Sequence, residues 1–123
     1  MSPTVIDTFA ALGDPVRSTI VDRLAVTDAT VGELVAMFEI SFQAVSKHLD
    51  VLERGGVITR ERAGRTRVVR LNTATLDTAV DWMEARRQQL EQRYQRLDAV
   101  LESIARAEPA ASTTTTTTER TPS

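Results

Sequence analysis

The apolar residues between Thr30 and Leu71 change their period once, at Gly55-Gly56, and that switch narrows the fold more than any other feature of the sequence. Before it, Thr30 and Glu33 form a T-x-x-E capping box that leads into Val31, Leu34, Val35 and Phe38, predicting a helix of about two turns that ends near Glu39. Ser41 can cap a following helix in which Val45, Leu49 and Leu52 share one face, while Gln43, Ser46, Lys47 and Asp50 point the other way. Two short helices with a tight connection make a helix-turn-helix candidate. After the double glycine, β-branched residues stand on both sides of Ala63-Gly64, which predicts a hairpin with Arg62 and Arg65 flanking its turn. A lone hairpin is marginal in water, so this one must pack on the helices before it.

Upstream, Thr4 with Asp7 and then Asp14 with Pro15 open two further helices, the first carrying Val5, Ile6, Phe9 and Leu12 and ending at Gly13. The second repeats Val16, Ile20 and Leu24 every four residues and turns Arg17 and Asp22 toward solvent. Downstream, Leu76, Val80, Met83, Arg87, Leu90, Tyr94, Leu97, Leu101 and Ile104 alternate steps of four and three, a heptad seam with one polar break at Arg87. Such a helix is roughly 45 Å long at 1.5 Å per residue. A parallel pairing would set Arg86 against Glu91 and Arg93 against Asp98 of a second copy, although the spacing alone leaves parallel and antiparallel arrangements open. Soluble proteins rarely leave a large apolar stripe bare, so a homodimer is expected, with Val5, Phe9, Met83, Leu90, Tyr94, Leu97 and Leu101 in its interface and Trp82 beside the seam.

Charge is unevenly placed. The stretch from Phe42 to Arg70 nets +4 while the whole chain of 123 residues nets -2. One basic surface on an acidic body suits a protein that meets a polyanion at one place only. With no cysteine and a single histidine, disulfides, thiolate metal sites and multi-histidine centres are excluded, and neither a cofactor nor a metal is expected. No glycine-rich phosphate loop, nucleophile elbow or histidine-bearing acid–base set occurs, so an enzyme is not expected. His48, beside the buried stripe, reads as a packed or hydrogen-bonded helix residue. No apolar run approaches the roughly 20 residues of a membrane span and no basic-then-apolar leader opens the chain, so a cytoplasmic, membrane-free protein is expected.

The element order is that of a mainly α protein with a small β-hairpin, a winged helix-turn-helix over residues 1–75. A C-terminal dimerisation helix over 76–107 and a disordered threonine-rich tail over 108–123 follow. Ala10-Ala11-Leu12-Gly13-Asp14-Pro15-Val16-Arg17 resembles the A-L-A-D-P-T-R opening of the ArsR family of bacterial transcriptional regulators, and Ala44-Val45-Ser46-Lys47-His48-Leu49 with Val51-Leu52 and Gly56-Val57-Ile58 resembles its recognition segment. The resemblance spans roughly residues 5–75. It implies a dimeric repressor whose helix at 42–54 enters the major groove of a double-stranded operator, with a wing at 57–71 on adjacent backbone or minor groove.

Carried over by position, Ser41, Gln43, Ser46 and Lys47 match the family's DNA-facing residues, and Arg62, Arg65 and Arg67 supply the wing. Where the family often has Gln this chain has Phe42, whose substitutes for amide readout are a thymine methyl contact or packing inside the domain, with packing favoured. Metal-sensing relatives place a C-x-C pair after Glu-Leu; Val35-Ala36-Met37 stands there instead, so the chain resembles the family's non-metal-sensing members and its effector is unassigned. Two other functions compete with a sequence-specific regulator. A protein-interaction module has little need of the arginines of the hairpin, and a nonspecific architectural DNA protein has little need of a base-reading Gln43.

Overall fold

A computed structural model describes residues 3–107; the threonine-rich tail expected to be disordered lies outside the described residues. Two compact units are resolved, the first running to Met83 and the second beginning at Glu84. The first holds helices α1 (Val5–Leu12), α2 (Pro15–Leu24), α3 (Val31–Val35) and α4 (Phe42–Arg54), strands β1 (Ala29–Thr30), β2 (Ile58–Ala63) and β3 (Thr66–Leu71), and the opening turns of α5 (Thr73–Ala107).

Side-chain caps set the helix starts. Thr4 and Asp7 form a reciprocal capping box on α1, Asp14 accepts from the backbone N–H groups of Val16 and Arg17 at the head of α2, and Thr30 and Glu33 repeat the box on α3. The Ser41 hydroxyl accepts from the Ala44 N–H and starts α4. Each device satisfies N–H groups that the first turn of a helix leaves without a partner. The third helix is shorter than its apolar pattern suggests: α3 ends at Val35, and a turn carries Phe38 back onto the core without helical backbone.

Ile20, Leu34, Val45, Leu49, Leu52, Val57, Ile58 and Val69 are almost fully buried and form the core. Against this core α1 closes on the C-terminal end of α4. The buried Thr8 hydroxyl donates to the Gly55 carbonyl at 2.9 Å, and a Cβ added at Gly55 would stand 2.8 Å from the Ala11 Cβ, so only glycine permits the approach. The sheet has the order β1-β3-β2, all antiparallel. Its two-residue β1, which pairs Ala29 with Val69 and Thr30 with Val68, is too short to show any alternation and was not legible in the sequence.

The first turns of α5 belong to this unit. Ala79 is buried, Leu76 packs on the core, and Trp82 meets Phe9 of α1 edge-on with ring centroids 5.6 Å apart. In the second unit, α5 exposes Leu90, Tyr94, Leu97, Val100, Leu101 and Ile104 along one side. The polar break in that stripe is tied along its own helix: Arg87 donates to Glu84 at 2.6 Å and lies 3.8 Å from Glu91. The Arg87 hydrogen bond holds the Glu84 carboxyl below the ordinary carboxylate range. No helix among the described residues is long and apolar enough to cross a membrane.

Candidate nucleic-acid interface

With Val45, Leu49 and Leu52 buried, Gln43 and Lys47 fall on the opposite, exposed face of α4, and Ser46 is half-buried on its flank. Ser41, at the cap, is exposed as well. Phe42 corrects the reading that favoured packing. It lies three residues before Val45 and seven before Leu49, on the flank of the buried stripe, yet it is 57% exposed and is not among the residues packed on the core.

The wing begins where β2 and β3 leave the core. Ala63 pairs with Thr66 across a two-residue turn, Gly64-Arg65, in which Gly64 has φ +65° and Arg65 a negative φ. Positive φ at the first turn position alone is the type II′ pattern, which needs glycine there and matches the twist of a hairpin. Arg62 pairs directly with Arg67, both exposed, so two like charges face each other across the ladder. Such a pair is destabilising by itself and is relieved by a bound anion. The same face of the hairpin carries Arg60 and Val69 two pairs nearer the core.

Arg60 is not part of an open basic surface. Its side chain is only 13% exposed and its guanidinium donates to Glu53 at 2.6 Å and to Asp50 at 2.7 Å, both on α4. Burial alone would push this guanidinium down, but the hydrogen bonds to Glu53 and Asp50 outweigh it and hold the group above its ordinary value. Arg70 is likewise paired, with Asp28 at 3.0 Å and Glu61 at 3.2 Å. Lys47, Arg62, Arg65 and Arg67 have no ion-pair partner among the described residues. The charge of the basic segment is therefore sorted. Arg60 neutralises the acids on the recognition helix and anchors the wing to it, Arg54 donates to the Asp50 carbonyl at 3.4 Å, and Lys47, Arg62, Arg65 and Arg67 stay available to an anionic ligand.

Arg60→Ala would strand two carboxylates beside α4. Because Asp50 and Glu53 are about half exposed, solvent screens much of the loss, and a destabilisation of about 1 kcal/mol is expected. Thermal unfolding checks this, and an unchanged melting temperature would show that the two pairs do not hold the wing.

A second polar cluster fixes α4 from behind. Arg17, expected in solvent, instead folds back: its Nε donates to the Ala11 carbonyl at 2.6 Å, and its Nη1 lies 3.1 Å from His48 Nδ1. A guanidinium can only donate, so in this contact the His48 Nδ1 serves as the acceptor. Asp14 Oδ2 is 3.7 Å from the same nitrogen. The Arg17 backbone N–H, helped by that of Val16, holds the Asp14 carboxyl below the ordinary carboxylate range against the opposing effect of burial. His48 is thus a hydrogen-bonded helix residue. No group of three or more His, Asp or Glu side chains among the described residues is arranged to hold a metal ion.

Of the residues expected at a dimer interface, Val5 and Phe9 are half-buried within the chain, whereas Met83, Leu90, Tyr94, Leu97 and Leu101 are exposed. Sequence reasoning did not assign Ile6, which is 65% exposed. Its place in the helical repeat of α1 gave no sign that it faces outward.

A capped helix pair, an antiparallel wing and the unpaired cations along them define the class as a winged helix-turn-helix protein of the DNA-binding kind. Residues 14–60 match the model of the bacterial regulatory protein, arsR family. The transcriptional repressor SdpR of Bacillus subtilis is 37% identical over 75 residues, covering 61% of this chain and 83% of that protein. The crystal structure of an ArsR family transcriptional regulator, RHA00566, superposes with a TM-score of 0.67 at 29% identity, over 71% of this chain and 96% of that one. The homodimeric winged helix-turn-helix domain Mb0332 of Mycobacterium bovis shares the fold with a TM-score of 0.56 at 21% identity, over 72% of this chain and 82% of that one. The chain belongs to the ArsR family of transcriptional regulators. It is a transcriptional regulator and not an enzyme.

Proposed function

We propose that the protein is a homodimeric, sequence-specific repressor that lays α4 in the major groove of an operator and its wing along the adjacent backbone or minor groove. The observation that carries this reading is the sorting of charge: Arg60 and Arg70 are consumed by acids, while Lys47, Arg62, Arg65 and Arg67 are left exposed on the helix and wing. Gln43 and Lys47 are the base-reading candidates, through an amide or an ammonium to base edges in the major groove. Ser41, Ser46 and the wing arginines suit phosphates, which position the protein without specifying sequence.

The exposed apolar side of α5 supports pairing with a second copy, and the pairing of Mb0332 as a homodimer agrees with it. Binding to DNA from immediately upstream of its own gene, and to scrambled DNA of equal length at two salt concentrations, tests the reading. Tight binding that survives higher salt on the native fragment alone is expected. Lys47→Ala should weaken the native fragment about tenfold and narrow the preference over scrambled DNA. Arg65→Ala should weaken both DNAs alike and lower the salt slope by about one. An Arg65→Ala protein with parental affinity on both fragments would remove the turn of the wing from the interface.

A further inference from the structure

The structure assigns to Phe42 a direct part in sequence choice: we propose that its ring packs on the 5-methyl group of a thymine in the major groove. The assignment rests on the operator-binding reading above. Phe42 is the first residue of α4, next to the cap Ser41 and directly before Gln43. From α3 to β3 it is the most exposed of the large apolar side chains, at 57%, against 40% for Met37 and Ile40. Phe42, Ser46 and Asp50 follow one another at four-residue spacing and so form one ridge of the helix. The far end of that ridge, Asp50, is clasped by Arg60 of the wing.

Phe42 thus stands at the open end of the side of α4 that the wing addresses. The hairpin face that sends Arg60 to Asp50 also carries the unpaired Arg62 and Arg67 toward its tip. Between Glu39 and Asp50 the sequence carries no acid, so nothing on this part of the helix repels a polyanion.

An aromatic ring offers no hydrogen bond to a base edge. Of the groups that the four base pairs present in the major groove, the thymine methyl is the apolar one. Burying it against the ring removes from water both the methyl group and part of a side chain that the free protein leaves exposed. Phe42 therefore adds preference for thymine at one position per half-site, beside the amide contact of Gln43.

The test uses the full chain and duplexes selected by it from a random pool. In the best site, each thymine is replaced in turn by uracil, which deletes the methyl and keeps every hydrogen-bonding edge. Parent protein should lose about three- to fivefold in affinity at one thymine in each half-site, the effect of one buried methyl. Phe42→Ala should bind the thymine and uracil versions alike, and Phe42→Leu, which keeps an apolar tip, should retain part of the discrimination. Circular dichroism melts of both variants should match the parent, because the ring is outside the core. Equal binding of every uracil duplex by the parent overturns the assignment. So does a sensitive thymine that stays equally sensitive in Phe42→Ala, since another side chain would then be the reader. Failure to enrich any sequence from the pool overturns the operator reading itself and is told apart from both results by the absence of a site to substitute.

Discussion

Leu97→Asp is expected to convert the proposed dimer into a monomer at micromolar concentration. Leu97 is 53% exposed on its own helix and sits in mid-stripe, with Leu90 and Tyr94 before it and Leu101 and Ile104 after it. The side chain makes no contribution to the core of the first unit, so the substitution leaves that unit folded. In a symmetric pair each copy places its carboxylate in an apolar seam. Burying an unpaired charge costs several kcal/mol, enough to weaken association more than a hundredfold. Affinity for a two-fold operator should fall with it, because each copy then holds one half-site without help from its neighbour. Light scattering reads the mass directly. A dimer of unchanged mass would place the contact elsewhere, the candidates being Ile6, Val80 and Met83, all exposed in the first unit.

Helix starts were legible because each rests on chemistry confined to a few neighbouring residues. Thr4 with Asp7, Asp14 with Pro15, Thr30 with Glu33, and Ser41 all act where the sequence places them. The hairpin was legible for the same reason, but its turn falls one residue later than read: Ala63 still pairs with Thr66, so the turn is Gly64-Arg65 and Arg65 stands in it rather than beside it. What was not legible depends on residues far apart in the chain. The strand Ala29–Thr30 exists because β3 offers it a partner. Arg17 was read as solvated from its helical face, but the C-terminal carbonyls of α1 and the ring of His48 draw it inward.

Charge shows the limit most clearly. A sum over residues 42–70 treats Arg60 and Arg70 as equal to Arg62 and Arg67, whereas the fold brings acids to the first two and none to the others. Phe42 fails in the opposite direction. Its spacing relative to Val45 and Leu49 suggests burial, but the first turn of α4 extends beyond the packed core.

Leu49→Ala should cost about 2–5 kcal/mol, a large loss of stability for a single truncation on α4. Leu49 is fully buried and stands between Val45 and Leu52 in the one core that α4 shares with Ile20, Leu34, Ile58 and Val69. Interiors of this kind are close-packed and relax only partly around a deletion, so both the lost burial and the cavity count against the fold. A loss of this size is a large part of what holds a small domain together, and the melting temperature should drop by about 10 °C or more. Lys47, two residues earlier, is exposed and unpaired, and its truncation to Ala should leave the melting temperature within about 2 °C, a surface change worth under about 0.5 kcal/mol. The same pair should rank oppositely in DNA binding measured well below either melting point, where Lys47→Ala loses affinity and the folded fraction of Leu49→Ala keeps it. One helix then carries two separable jobs on two faces. A Lys47→Ala protein that melts early, or a Leu49→Ala protein that melts like the parent, would show that the faces of α4 have been assigned the wrong way round.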